Sequence, residues 1–153
     1  MTAAQIVRLN ASALGIPVPA IVYVDPDEMP TPTTQAAVGT TDYEIAVNRS
    51  QLYRFRGRDG DLNLTLVLSH EMRHLWQLRS GWSPAASGYL SRSETSLAEY
   101  NAQQAEVDAW AWSVIVVEDL HGVTPQVGHI LGADIVTQIS NRAAEIRAER
   151  HLS

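Results

Sequence analysis

Ile6, Leu9 and Leu14 recur at helical spacing among alanines, and the run closes on Gly15. Residues 2–14 are therefore expected to form a first helix. The stretch "PAIVYVDP" over 19–26 is β-branched and aromatic and ends in a proline–aspartate turn, which reads as a strand. Residues 26–42 are polar and rich in Pro and Thr, and are expected to form a loop. "YEIAVN" (43–48) alternates apolar and polar positions, the pattern of a half-buried or edge strand. Residues 49–60, "RSQLYRFRGRDG", read as a connector with a turn of helix at most, and Asp59 or Asp61 can cap the helix that follows.

That helix is expected from about Leu62 to Arg79, stopping before Gly81. Residues 82–93 form a loop, and a long helix runs through "AEYNAQQAEVDAWAWSVIVVEDL" to His121 and Gly122. Residues 124–149 are again helical, with a break near Gly128 to Gly132. The expected fold class is α+β: one domain over 1–153, mostly helical, with a sheet of two or three strands early in the chain.

The composition narrows the chemistry. A chain of 153 residues, 45% hydrophobic and 18% charged, suits one globular domain that needs no staple to fold. There is no cysteine, so disulfides and thiolate zinc sites are excluded, and any metal must rest on His, Asp or Glu. All eleven basic residues are arginine, which excludes a lysine Schiff base and a P-loop lysine. The net charge of −6 argues against a general nucleic-acid binder. The first residues lack the pattern of a signal peptide, and no apolar run nears the ~20 residues of a membrane span, so a cytoplasmic protein without membrane partners is expected.

"SHEMRHLWQ" (69–77) places His70 and His74 four residues apart with Glu71 directly after the first. On a helix that spacing aims both imidazoles at one point, where they can hold Zn²⁺ at ~2.0–2.1 Å. Glu71 swings to one side of the point and can take a proton from a water acidified by the metal. The preceding "LNLTLVLS" is apolar on almost every side, the mark of a buried helix, in which two histidines and a glutamate need partners. A metal supplies one.

Catalytic zinc commonly has three protein ligands. The metzincin continuation fails, because Gln77 and Ser80 stand where its glycine and third histidine belong. The carboxylates Glu94, Glu99, Glu106, Asp108, Glu118 and Asp119 remain. Ala102, Ala105, Ala109, Trp112 and Val116 form a stripe suited to packing against the histidine helix, and Glu106 and Asp108 flank it on opposite edges. Periodicity does not choose between these two; the longer reach of glutamate slightly favours Glu106.

Together "LSHEMRHLWQ" and "EYNAQQAEVDAWAW" resemble the gluzincin-type HExxH zinc metallopeptidases, especially the compact forms of bacteria, phages and mobile elements. Arg73 and Gln77 fit the first motif, and Tyr100, Glu106, Asp108 and Ala109 the second. The resemblance covers roughly residues 1–120. It implies a zincin-like fold and a zinc-dependent hydrolase of peptide or protein substrates. It makes Glu106 the third ligand and Glu71 the general base. One departure is that Gln104 stands four residues before Asp108, where many gluzincins place their ligand glutamate.

Other residues carry two readings each. Tyr100 could donate to an oxyanion or simply pack near a helix start. His129 is the histidine candidate for the same role, against a structural histidine in an apolar turn. Asp108 either supports a ligand histidine or nearby backbone, or forms a salt bridge with an arginine. Arg73 is expected to pair with a carboxylate, and Trp76, Trp110 and Trp112 to fill the core. His121 meets a helix C-terminus, and His151 lies in the tail. The arginine–aromatic stretch 49–58 reads as a solvated connector rather than a nucleic-acid surface. Strand 43–48 is expected at the sheet edge, where it would bind an extended peptide by strand addition. The readings that compete with an enzyme are a zinc-binding but inactive regulatory or phage-associated module, and a purely structural helical domain.

Overall fold

The computed structural model describes residues 1–39, 42–82, 90 and 94–152, except the side chains of Ala98, His129, Ile130, His151 and Leu152. Helix α1 (Ala3–Leu14) opens with a capping box. Thr2 Oγ1 accepts from the Gln5 N–H at 3.2 Å, and Gln5 Oε1 accepts from the Thr2 N–H at 2.8 Å. The helix closes on Gly15, whose φ of 66° is the left-handed conformation that favours glycine.

A three-stranded sheet follows, built from β1 (Ala20–Val24), β2 (Ala36–Val38) and β3 (Glu44–Asn48) in the order β1-β3-β2. β1 runs parallel to β3 with Ala20 opposite Glu44, and β2 runs antiparallel to β3 with Ala36 opposite Val47. Two expectations are corrected here. The strand over 43–48 is the central strand, not an edge: apolar alternation reports the two faces of a strand and is silent on its lateral neighbours. The Pro/Thr-rich loop over 26–42 contains a 3₁₀ turn at Pro26–Glu28 and the edge strand β2, which is too short to carry a periodic signal.

Helix α2 (Arg49–Leu52) is the expected turn in the connector. Helix α3 (Gly57–Ser80) begins five residues earlier than its apolar pattern indicates, with Arg56 at the N-cap and no side-chain cap. Asp59 therefore lies within the first turn, where its charge favours the helix dipole. Asp61 is no cap either; its carbonyl accepts from the Thr65 hydroxyl at 2.9 Å. The helix ends at Gly81 (φ 67°), as expected.

The long helix expected over 98–120 is divided into α4 (Leu97–Ala102) and α5 (Gln104–His121). Gln103 between them is extended, at φ −61° and ψ 141°. Its side chain exchanges hydrogen bonds with the backbone of Leu90, accepting from N–H at 2.7 Å and donating to C=O at 2.9 Å. A tertiary contact thus overrides helix propensity at that residue. Helices α6 (Gly128–Leu131) and α7 (Ala133–Leu152) part at Gly132, within the expected break. The loop expected over 82–93 falls largely outside the described residues.

Two apolar clusters meet α3 and α5. Ile6, Val7, Ile45, Val47, Leu68 and Met72 join α1, the sheet and α3. Trp112, Ile115, Leu131, Ile139 and Ile146 join α5 to α6 and α7. Asn10, fully buried, ties three helices together. Its amide donates to Ile6 C=O at 2.9 Å and to Ser69 Oγ at 3.0 Å, and its Oδ1 accepts from Trp112 Nε1–H at 2.8 Å. Replacing Asn10 by alanine strands the buried indole N–H and should cost about 2–3 kcal/mol, since an unsatisfied buried donor carries its full desolvation penalty. The check is a lower urea midpoint at unchanged m-value; an unaltered midpoint would show that the three-helix junction does not depend on this side chain. Among the described residues no helix is long and apolar enough to cross a membrane.

Candidate metal centre

His70 and His74 lie one turn apart on α3, and their Nε2 atoms are 3.1 Å from each other. Glu106, in the first turn of α5, brings Oε2 to 3.2 Å from His70 Nε2 and 2.6 Å from His74 Nε2. The three residues are buried to half-buried, and Glu106 is only 1% exposed. Ligand atoms at ~2.0–2.1 Å on a tetrahedron stand about 3.3 Å apart. The two longer separations match that spacing; the shortest is a hydrogen-bond contact between His74 and the carboxylate. The group could hold a metal ion.

The hydrogen bonds around His74 determine its tautomer. Gln77 Nε2 donates to Ala105 C=O at 2.9 Å and to Asp108 Oδ2 at 2.8 Å, so its Oε1 faces His74 Nδ1 at 2.8 Å. Nδ1 must then carry a hydrogen, and Nε2 is the atom left to face the ligand point. His70 differs. Its Nδ1 is buried with no hydrogen-bond partner among the described residues, and its ring packs 4.4 Å from the Trp110 ring.

The electrostatics follow from burial against charge. Burial alone pulls His74 down, but the charge and hydrogen bond of Glu106 outweigh it and push the imidazole up to about 9. Burial alone raises Glu106, yet the two imidazoles hold it well below the usual carboxylate range. The protein by itself thus keeps a proton where the three ligand atoms meet, and a bound cation would displace it. Glu71 is 9% exposed. Burial pushes its pKa up, against the lowering effects of both imidazoles and of a hydrogen bond from the Val38 backbone N–H.

Val38 belongs to the edge strand β2. Gln35 C=O accepts from Asn48 N–H at 3.0 Å, so residues 35 and 37 face β3 and the backbone groups of Ala36 and Val38 turn outward. That geometry turns the Val38 N–H away from β3 and leaves the outer side of β2 without a strand neighbour among the described residues.

Asp108 departs from one of its expected roles. It touches neither ligand histidine. Its carboxylate, wholly buried, accepts from Arg73 Nε at 2.7 Å, Arg73 Nη2 at 3.0 Å, Arg142 Nε at 2.8 Å and Gln77 Nε2 at 2.8 Å. The salt-bridge reading therefore holds, and support reaches His74 only through Gln77. Burial would raise the pKa of Asp108, but Arg73, Gln77 and Arg142 together hold it below the usual carboxylate range. Arg73 pairs as expected, and its guanidinium also lies 3.8 Å from the Trp76 ring centre. Of the three tryptophans Trp112 is core, Trp110 is half-buried and packs against that core, and Trp76 is half-buried beside Arg73.

The other carboxylates considered as ligands are engaged elsewhere. Glu99 accepts from Thr95, Glu118 and Asp119 face Arg147, and Glu94 is exposed. Tyr100 is half-buried on α4, and its carbonyl accepts from the Gln103 side chain at 3.2 Å. The side chains of His129 and His151 lie outside the described residues. His121 bonds Thr65 Oγ1 at 2.9 Å; that hydroxyl donates to Asp61 C=O, so the imidazole Nε2–H is the donor. Tyr53 and Phe55 are exposed, with Arg49 stacked 3.8 Å over Tyr23 and Arg54 4.7 Å over Phe55.

Sequence reasoning missed Arg142 and the bridging role of Gln77. No periodic or motif signal marks Arg142, which lies 34 residues beyond its partner. The different surroundings of Glu106 and Asp108 set up a contrast. Glu106→Ala should empty the metal site and cost the zinc-free fold less than Asp108→Ala, because His74 can shed its proton when its partner is removed. Asp108→Ala should strand the buried Arg73 cation and cost about 3–5 kcal/mol of stability. Metal content and urea midpoints of both variants check this; a metal site emptied by Asp108→Ala in a fold of normal stability would reverse the roles.

No protein-family model, curated protein or solved structure matches this chain, and its function is accordingly read from the geometry of the His70, His74 and Glu106 group.

Proposed function

We propose that the chain is a zinc-dependent peptidase of gluzincin type, with His70, His74 and Glu106 as ligands and Glu71 as general base. The observation that supports it most is the meeting of two imidazole Nε2 atoms and one carboxylate oxygen, 2.6–3.2 Å apart, beside a buried glutamate. Two nitrogens and one oxygen, with no thiolate, form the His₂Glu set that catalytic zinc uses with a fourth position open. When bound there, zinc supplies Lewis acidity that lowers the pKa of water toward ~7 and polarises a carbonyl.

The chain's own residues do the rest. Glu71 follows His70 directly, so its carboxylate reaches the side of the ligand point without joining the ligands. It takes the proton of the attacking water and returns it to the leaving amine as the C–N bond breaks. Burial raises its proton affinity for the first transfer, the Glu106 charge adds to that rise, and the two imidazoles and the Val38 N–H oppose it. The Val38 N–H favours the ionised form of that carboxylate. The outward N–H and C=O of Ala36 and the C=O of Val38 can pair with an extended peptide, which would lay its carbonyls past Glu71. This role passes to β2 from the central strand β3.

The test combines metal analysis of protein purified without added zinc with a peptide-library digest by native, chelated and zinc-restored protein. One zinc per chain and cleavage that follows the metal support the proposal. Zinc without cleavage favours the inactive module, and no bound zinc overturns the metal reading itself.

A further inference from the structure

The last helix, beyond the reach of the family resemblance, sends one side chain back to the support of the metal centre. Arg142 on α7 donates Nε–H to Asp108 Oδ1 at 2.8 Å, while its Nη1 reaches Glu145 at 2.9 Å and Glu149 at 3.5 Å. Asp108 Oδ2 accepts from Gln77 Nε2 at 2.8 Å, and Gln77 Oε1 accepts from His74 Nδ1 at 2.8 Å. A continuous hydrogen-bond chain thus runs Arg142–Asp108–Gln77–His74, from α7 through α5 to a metal ligand on α3. Nothing equivalent serves His70, whose Nδ1 has no such partner among the described residues.

We infer that Arg142 is a positioning residue for the metal centre: it orients Asp108, which holds the Gln77 amide and so the His74 ring, making the C-terminal helix a determinant of metal affinity. This rests on the metal site proposed above. Arg73 grips both Asp108 oxygens from one side, and Arg142 closes the other. With both in place the remaining lone pair of Oδ2 points at Gln77. A ligand ring free to swing binds metal less tightly than one already aimed.

Charge alone would act in the opposite sense. Arg142 is a cation behind a cation site, partly offset by Glu145 and Glu149, and its removal would tighten metal binding. The sign of the change therefore separates positioning from charge. Arg142→Met should fold, because Asp108 keeps Arg73 and Gln77. Arg142→Gln places its amide nitrogen where the arginine Nε stands, so it restores the donor without the charge.

The experiment measures zinc affinity by chelator competition on the full chain, with a melt of each zinc-free variant. Arg142→Met should raise the zinc Kd about 10-fold, the lower end of the ~10–100-fold typical when a ligand loses its support. Arg142→Gln should recover most of that loss. Gln77→Leu should weaken zinc at least as much, and adding Arg142→Met to it should change nothing further, because the two act in series. Ile146→Ala, which loosens the same helix through its apolar face, should lower the melting temperature and leave Kd within about 2-fold of wild type. An unchanged or tighter Kd in Arg142→Met overturns the inference. So does additivity in the double variant, or an equal loss in Ile146→Ala. Each of these leaves the zinc site itself standing, whereas a wild-type protein that binds no zinc overturns both.

Discussion

His70→Ala and His74→Ala are each expected to purify without zinc and to lose the thermal stabilisation that zinc confers. Removing one of three ligands leaves two, and the more distant carboxylates Glu94, Glu99, Glu118 and Asp119 are paired elsewhere or exposed. Metal that binds only the folded chain stabilises it by linkage, about 4 kcal/mol when free zinc stands ~1,000-fold above Kd. For a domain of this length each kcal/mol moves the melting temperature by about 2–4 °C. Wild type should therefore melt roughly 8–16 °C higher with zinc than with chelator, and both variants should melt at the same temperature in either condition. The two substitutions also differ from each other. His74→Ala deprives buried Glu106 of its nearest partner at 2.6 Å and strands Gln77 Oε1, so its zinc-free form should be the less stable of the pair. Zinc retained at one equivalent in both variants would remove these histidines from the site.

Glu71→Gln is expected to keep zinc and to lose turnover by at least the ~10²–10⁴-fold that a general base contributes. The amide has nearly the volume of the carboxylate and can still accept from the Val38 N–H through its carbonyl. The buried charge is lost without leaving a new one unpaired, so the fold should be at least as stable. Zinc affinity should change little, because Glu71 is not one of the three converging residues. The measurement is zinc per protein together with cleavage rate on a peptide library, wild type and variant side by side. Cleavage at the wild-type rate in the zinc-loaded variant would assign the activity to another base or to a contaminant.

What could be read from the chain alone was local. The i, i+4 pair His70 and His74 needs only a helix to converge, and "LNLTLVLS" with Gly81 at its end dictates that helix. Gly15 and Gly132 stop helices wherever the chain is packed, because only glycine takes their φ values without strain. The absence of cysteine limited any metal to imidazole and carboxylate before any geometry was known. The choice between Glu106 and Asp108 was beyond that reach. Both flank one stripe of α5 at similar angles, and only the way α5 lies along α3 aims one at the histidines and the other at Arg73. The sheet order was equally hidden: β2 is three residues long, and strand pairing depends on backbone groups identical in every residue. Gln103 is extended between two helices where the sequence favours one, and its side-chain amide pairs with the backbone of Leu90, a contact that no local pattern announces. Arg142 reaches Asp108 only because α7 folds back onto α5. Periodicity and motif spacing thus determined which faces and which short-range pairs exist, since these follow from helix geometry. Long-range packing decided which carboxylate meets the histidines, which strand borders the site, and which arginine closes the network behind it, since each requires two segments to meet that no local rule connects.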